Sequence, residues 1–167
     1  LGRETAKSFG VRSRFVHFEF FRLLSDHEGL GKKGDLMALE VNMRPSGGFT
    51  PDMINFARET DVYKIWADMV AYDSTQKPVG THHFCAFAGL RDGKDFALTP
   101  DDIIEKYDDH LKMVERMPDA LADAMGNQMY LATFDTEEEL HTFFADVTRQ
   151  KEPDVSVASE TAETLES

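Results

Sequence analysis

One cysteine in 167 residues, Cys85, excludes an internal disulfide framework and fits a chain kept in a reducing cytosol. No run of about 18 apolar residues is present, which excludes a membrane-spanning helix. Basic residues are also scarce: 18 Lys and Arg stand against 31 Asp and Glu, for a formal charge of -13. Nonspecific binding to nucleic acid or to an anionic membrane needs a basic surface, so this balance argues against both. Any phosphate ligand must find local cations or bring its own. Hydrophobic residues, by contrast, are plentiful at 41% with 13 Phe, which marks a folded chain with room for one or two compact units.

The acid is unevenly spread. Residues 152–167, EPDVSVASETAETLES, hold Glu152, Asp154, Glu160, Glu163 and Glu166 with no Lys or Arg, and this composition predicts a disordered acidic tail. The opening LGRETAKSFG has neither an initiator Met nor the charged-then-apolar order of a signal peptide, so the expectation is a piece of a longer protein.

FVHFEFFR at 15–22 combines aromatic and β-branched residues and predicts a strand. LMALEVNM at 36–43 predicts a second, and Gly29, Gly31 and Gly34 between them permit the turn of an antiparallel hairpin. By the period of two, Phe15, His17, Glu19 and Phe21 share one face of the first strand, and Leu36, Ala38, Glu40 and Asn42 one face of the second. A turn centred between Gly29 and Leu30 pairs Glu19 with Glu40. Facing carboxylates repel, so a cation should lie between them.

Helices are expected from Thr50-Pro51-Asp52, with Thr50 as the cap, and from Asp61, whose VYKIWADMVAY carries an apolar stripe of Val62, Ile65, Trp66, Met69 and Val70. DSTQKPVG at 73–80 has the composition of a linker. Beyond it the pattern predicts strands at 82–89, 111–117 and 128–134, and helices opening at Thr99, near Pro118 and at Thr136. The fold class is therefore α+β, with an α/β layer as the variant.

Glu19, Glu40 and Asn42 offer three hard oxygen donors on one sheet face, a set suited to Mg²⁺ held by carboxylates and substrate phosphates. Arg44 follows two residues on, and Ser46, Gly47 and Gly48 leave backbone N–H groups open at the start of a helix, an arrangement that favours an anion. FEF at 18–20 followed by ALEVNMRPSGG at 38–48 resembles the metal-binding hairpin of the ATP-grasp superfamily, whose nearest members by pattern are the carboxylate–amine ligases and biotin carboxylase. The resemblance covers residues 15–72 and, more loosely, the remainder.

It implies an ATP-grasp C-terminal subdomain with an antiparallel sheet and helices over 1–75, a small α+β extension over 76–150 and the acidic tail over 151–167. It further implies Glu19, Glu40 and Asn42 as ligands of Mg²⁺ or Mn²⁺, and Glu40, Asn42, Arg44, Ser46, Gly47 and Gly48 around ATP. Arg44 would steady the phosphate or acyl phosphate as the catalytic residue. The implied reaction activates a carboxylate as an acyl phosphate for attack by an amine, in the cytosol, with small-molecule carboxylate and amine substrates and a possible homodimer. The Gly-rich loop and lysines of the family's nucleotide-binding half are absent from the fourteen residues ahead of FVHFEFF. The missing N-terminal half of the same enzyme is thus an expected partner, and the piece alone is expected to be inactive. The alternatives are a noncatalytic binding or assembly module that keeps the fold and, more weakly, a phosphatase-like metal hydrolase, which would need more His or Asp ligands.

His17 is read as a structural histidine before a partner of Glu19. His82 and His83 are adjacent and so cannot jointly grip a metal. Cys85 is read as a core residue, Trp66 likewise, and Asp101, Asp102, Asp108 and Asp109 as helix-start and surface acids. Lys64 suits a substrate carboxylate or a wet helix face.

Overall fold

The computed structural model describes residues 1–75 and 80–151. The acidic tail at 152–167 and the Pro78 stretch of the expected linker lie outside the described residues. The chain is α+β and divides into two compact units, Leu1–His82 and a second beginning at His83.

The first unit contains α1 (Gly2–Ser8), the hairpin β1 (His17–Arg22) and β2 (Leu36–Asn42), α2 (Thr50–Arg58) and α3 (Val62–Tyr72). The pairing is antiparallel, with His17 opposite Asn42, Phe18 opposite Val41 and Glu19 opposite Glu40, as the turn position predicts. Between Glu19 and Phe20 the register slips by one residue, so that Phe20 faces Ala38 and Arg22 faces Leu36. That bulge corrects the expected face: Leu36 and Ala38 lie opposite to Glu40 and Asn42, because an extra residue reverses the alternation. Phe18 and Phe20 share the other side and meet edge to face at 6.3 Å.

Helix α3 is capped as the sequence predicts, the Asp61 carboxylate accepting the Lys64 N–H at 2.9 Å. Helix α2 is not: Thr50 is its first helical residue, Phe49 occupies the cap, and no side chain closes the end. Of the α3 stripe only Val62 is buried; Trp66 and Val70 are 44% and 64% exposed, which corrects their expected place in a core. Among the described residues of this unit, only Pro51 and Val62 are fully buried. Helix α1, which no pattern predicted, places Gly2 against the Phe18 ring.

The second unit contains β3 (Phe84–Leu90), α4 (Pro100–Tyr107), β4 (Leu111–Arg116), α5 (Asp119–Met125), β5 (Gln128–Phe134) and α6 (Glu137–Thr148). The sheet order is β3-β5-β4, with both outer strands antiparallel to β5 and hence parallel to each other. His82 and His83 precede β3 rather than open it. Capping boxes begin α4 at Thr99/Asp102 and α6 at Thr136/Glu139.

Central β5 is buried on both faces. Tyr130, Ala132 and Phe134 meet Ile103 and Tyr107 of α4 and Phe143 and Val147 of α6 in one core cluster. Full burial of each large apolar side chain in it contributes roughly 1.5–3 kcal/mol. Met129 and Leu131 face the other way, the side approached by α5, where a Cβ on Gly89 would lie 1.9 Å from the Met125 carbonyl oxygen. Under the cluster, the Tyr107 hydroxyl donates to the Asp146 carboxylate at 2.6 Å and Lys106 pairs with the same oxygen.

Gly89→Ala is expected to force α5 from the sheet at a cost of about 1–3 kcal/mol, read as a lowered denaturation midpoint. The hydrogen bonds from Lys106 and Tyr107 hold Asp146 below the usual carboxylate range. A depressed carboxylate adds stability that is present above its unfolded value and disappears as pH falls through the folded one. Asp146→Asn should therefore destabilise the chain by roughly 1–3 kcal/mol at neutral pH. The gap should narrow in acid, as denaturant titrations at several pH values would show.

Candidate functional site

The hairpin register delivers four polar side chains to one sheet face, as two directly opposed pairs, Glu19 with Glu40 and His17 with Asn42. His17, Glu19 and Glu40 each present a potential ligand atom within 4.8 Å of the others. The imidazole Nε2 of His17 stands 3.1 Å from a Glu19 oxygen, while its Nδ1 is buried and has no hydrogen-bond partner among the described residues. Asn42 donates its amide N–H to Glu40 in a short hydrogen bond. Its carbonyl oxygen, the one acceptor of the amide, takes no part in that bond.

The structure thus brings Glu19, Glu40 and Asn42 together as the sequence proposed, and adds His17. Strand alternation alone places His17 on the Glu19 face. Two facing carboxylates, an amide oxygen and an imidazole fit a divalent cation of the Mg²⁺ or Mn²⁺ class: oxygen donors suit both ions, and a nitrogen donor tilts the set towards the transition metal.

Arg44 makes no ion pair with Glu19 or Glu40 among the described residues. Its guanidinium donates to the Pro45 carbonyl at 2.9 Å, and with Ser46, Gly47 and Gly48 it lines a cleft of about 230 Å³ closed on the far side by Tyr63 and Trp66 of α3. Neither Glu19, Glu40 nor Asn42 lines that cleft. Gly48 sits in the left-handed region at φ 59°, which lets the chain turn into α2. The first-turn N–H groups of that helix lack a side-chain cap. A cation and two aromatic rings in one cleft suit an anion with a flat or apolar body.

The remaining candidates resolve to structural roles. Lys64 binds Asp68 at 2.6 Å along α3, and that hydrogen bond raises its pKa. His83 binds Asp135 at 2.8 Å. Burial pushes the Cys85 thiol up to about 11, which leaves it a poor nucleophile at neutral pH. Asp102 serves the α4 capping box.

Without metal, Glu40→Gln should relieve the cross-strand repulsion and raise stability by about 0.2–1 kcal/mol. Added Mg²⁺ or Mn²⁺ should stabilise the unaltered chain but not the variant. Thermal unfolding with and without each ion checks both halves.

No protein-family model matches the chain, and no curated protein matches it.

Proposed function

We propose that the chain is the C-terminal portion of an ATP-grasp ligase, acting in the cytosol, that binds Mg·ATP and activates a carboxylate as an acyl phosphate. Glu19, Glu40 and Asn42 hold the divalent cation, with Mn²⁺ as a substitute. Bound there, the ion neutralises phosphate charge that an acidic protein cannot otherwise accept. Arg44, the Ser46–Gly48 backbone and the start of α2 hold the anionic intermediate. The substrate carboxylate oxygen forms a bond to the γ-phosphorus as the bond to ADP breaks. An amine nitrogen then attacks the acyl carbon and inorganic phosphate departs.

The observation that carries this reading is the direct Glu19–Glu40 pairing with Asn42 beside it, on the hairpin whose sequence resembles the family's. The thin interior of the first unit, with only Pro51 and Val62 buried among its described residues, fits a half-domain completed by a nucleotide-binding half. That thin interior also favours the second reading, a noncatalytic assembly module that uses the same exposed apolar residues to bind a partner.

Hydroxylamine trapping of acyl phosphate by the full-length enzyme, across a panel of carboxylates, separates the two. The ligase reading expects ATP-dependent hydroxamate with at least one carboxylate, and its loss by a factor of about 100 or more in Glu40→Gln and Asn42→Ala while the fold persists. Unchanged turnover in either variant refutes it. Metal binding without ATP consumption for any carboxylate supports the module.

A further inference from the structure

The second unit holds a cleft of about 300 Å³ that the proposed reaction does not use. It opens beside the turn after β3, with Leu90, Phe96 and Leu98 as apolar walls. Its volume lies at the lower end of the range for small-molecule pockets, about 300–1,000 Å³. Tyr130, which lines it from β5, is 0% exposed, and its hydroxyl is buried with no hydrogen-bond partner among the described residues. Buried hydroxyls are almost always satisfied, so an orphan at a pocket wall points to an oxygen supplied from outside the chain.

The charge around the opening is unusual for a chain of net charge -13. Arg91, Lys94, Arg116 and Lys151 line it, against Asp92 and Asp95. Arg116 is neutralised by its two-pronged pairing with Asp92, and Arg91 donates to the Asp123 carbonyl. The Arg116 fork is therefore taken, whereas Arg91, bound only to a neutral carbonyl, keeps its charge. Arg91, Lys94 and Lys151 make no side-chain ion pair among the described residues, leaving three cationic groups around an apolar cavity, moderated by Asp95. The first turn of α4 is already closed by Thr99 and Asp102.

We infer that this cleft binds a small organic carboxylate with an apolar body, which seats its hydrocarbon on Leu90, Phe96 and Leu98, accepts a hydrogen bond from Tyr130 and answers the charge of Lys94 and Lys151. Three apolar walls call for a hydrocarbon body, which inorganic phosphate lacks, and the cationic rim calls for an anionic head such as a carboxylate. Burial, aided by the charge of Asp101, keeps the Tyr130 hydroxyl protonated and so a donor. The site is independent of the hairpin, and its success or failure leaves the ligase reading where it stands.

Thermal unfolding and calorimetric titration of the 167-residue chain with hexanoate, 4-methylpentanoate and phenylacetate, against their neutral amides and inorganic phosphate, test it. At least one carboxylate should raise the midpoint while its amide and phosphate do not. Tyr130→Phe, which removes an unsatisfied buried hydroxyl at constant shape, should raise the ligand-free midpoint and weaken carboxylate binding about fivefold. Lys94→Gln with Lys151→Gln should weaken it further and flatten its salt dependence. No response to any carboxylate, an equal response to amide or phosphate, or unchanged affinity in Tyr130→Phe overturns the inference. So does a lower ligand-free midpoint in that variant, because the hydroxyl would then already be satisfied. Should the variant not fold, NMR titration of the unaltered chain decides: shifts centred on Leu90, Phe96 and Tyr130 support the site, and shifts elsewhere overturn it.

Discussion

Two carboxylates set opposite each other in a β-ladder are a liability that the first unit accepts. Glu19 faces Glu40 in direct register, at the last pair before a bulge shifts the ladder by one residue. A like-charged cross-strand pair destabilises a hairpin by itself, and this hairpin has little core beneath it to absorb the loss. His17 and Asn42, the adjacent pair on the same face, each contact one of the two acids. The local chemistry suits a divalent cation.

The two units answer the same physical problem differently. In the second, β5 is enclosed on both faces, two capping boxes fix helix starts, and a Tyr107–Asp146–Lys106 network anchors α4 to α6. In the first, only Pro51 and Val62 are buried among the described residues, and Trp66, Val70 and Phe21 stay in water. Polar side chains of the hairpin and the loop that follows are concentrated in the same unit.

Much of this was legible in the residues. The period of two and the three turn glycines located the hairpin and its Glu19–Glu40 register, and Asp61, Thr99 and Thr136 marked their helices through capping chemistry that acts over three or four residues. What escaped depends on contacts distant in sequence or on small backbone departures. A one-residue bulge leaves no mark in an apolar pattern, so simple alternation puts Leu36 and Ala38 on the Glu40 face when they lie on the other. Thr50 has the chemistry of a cap yet lies one residue inside the helix, and Trp66 has helical spacing but nothing over it. The involvement of His17 was readable as alternation, yet its 3.1 Å approach to Glu19 is a fact of side-chain geometry alone. The orphan hydroxyl of Tyr130 is likewise invisible to any pattern, because it is defined by what surrounds it.

Anomalous diffraction from crystals of the chain grown with Mn²⁺ tests the central claim most directly. The account predicts a single strong peak between the Glu19 and Glu40 carboxylates, within bonding distance of both and of the Asn42 oxygen. Ordered Glu19 and Glu40 side chains at saturating Mn²⁺, with no peak between them or with the ion held elsewhere, would contradict it.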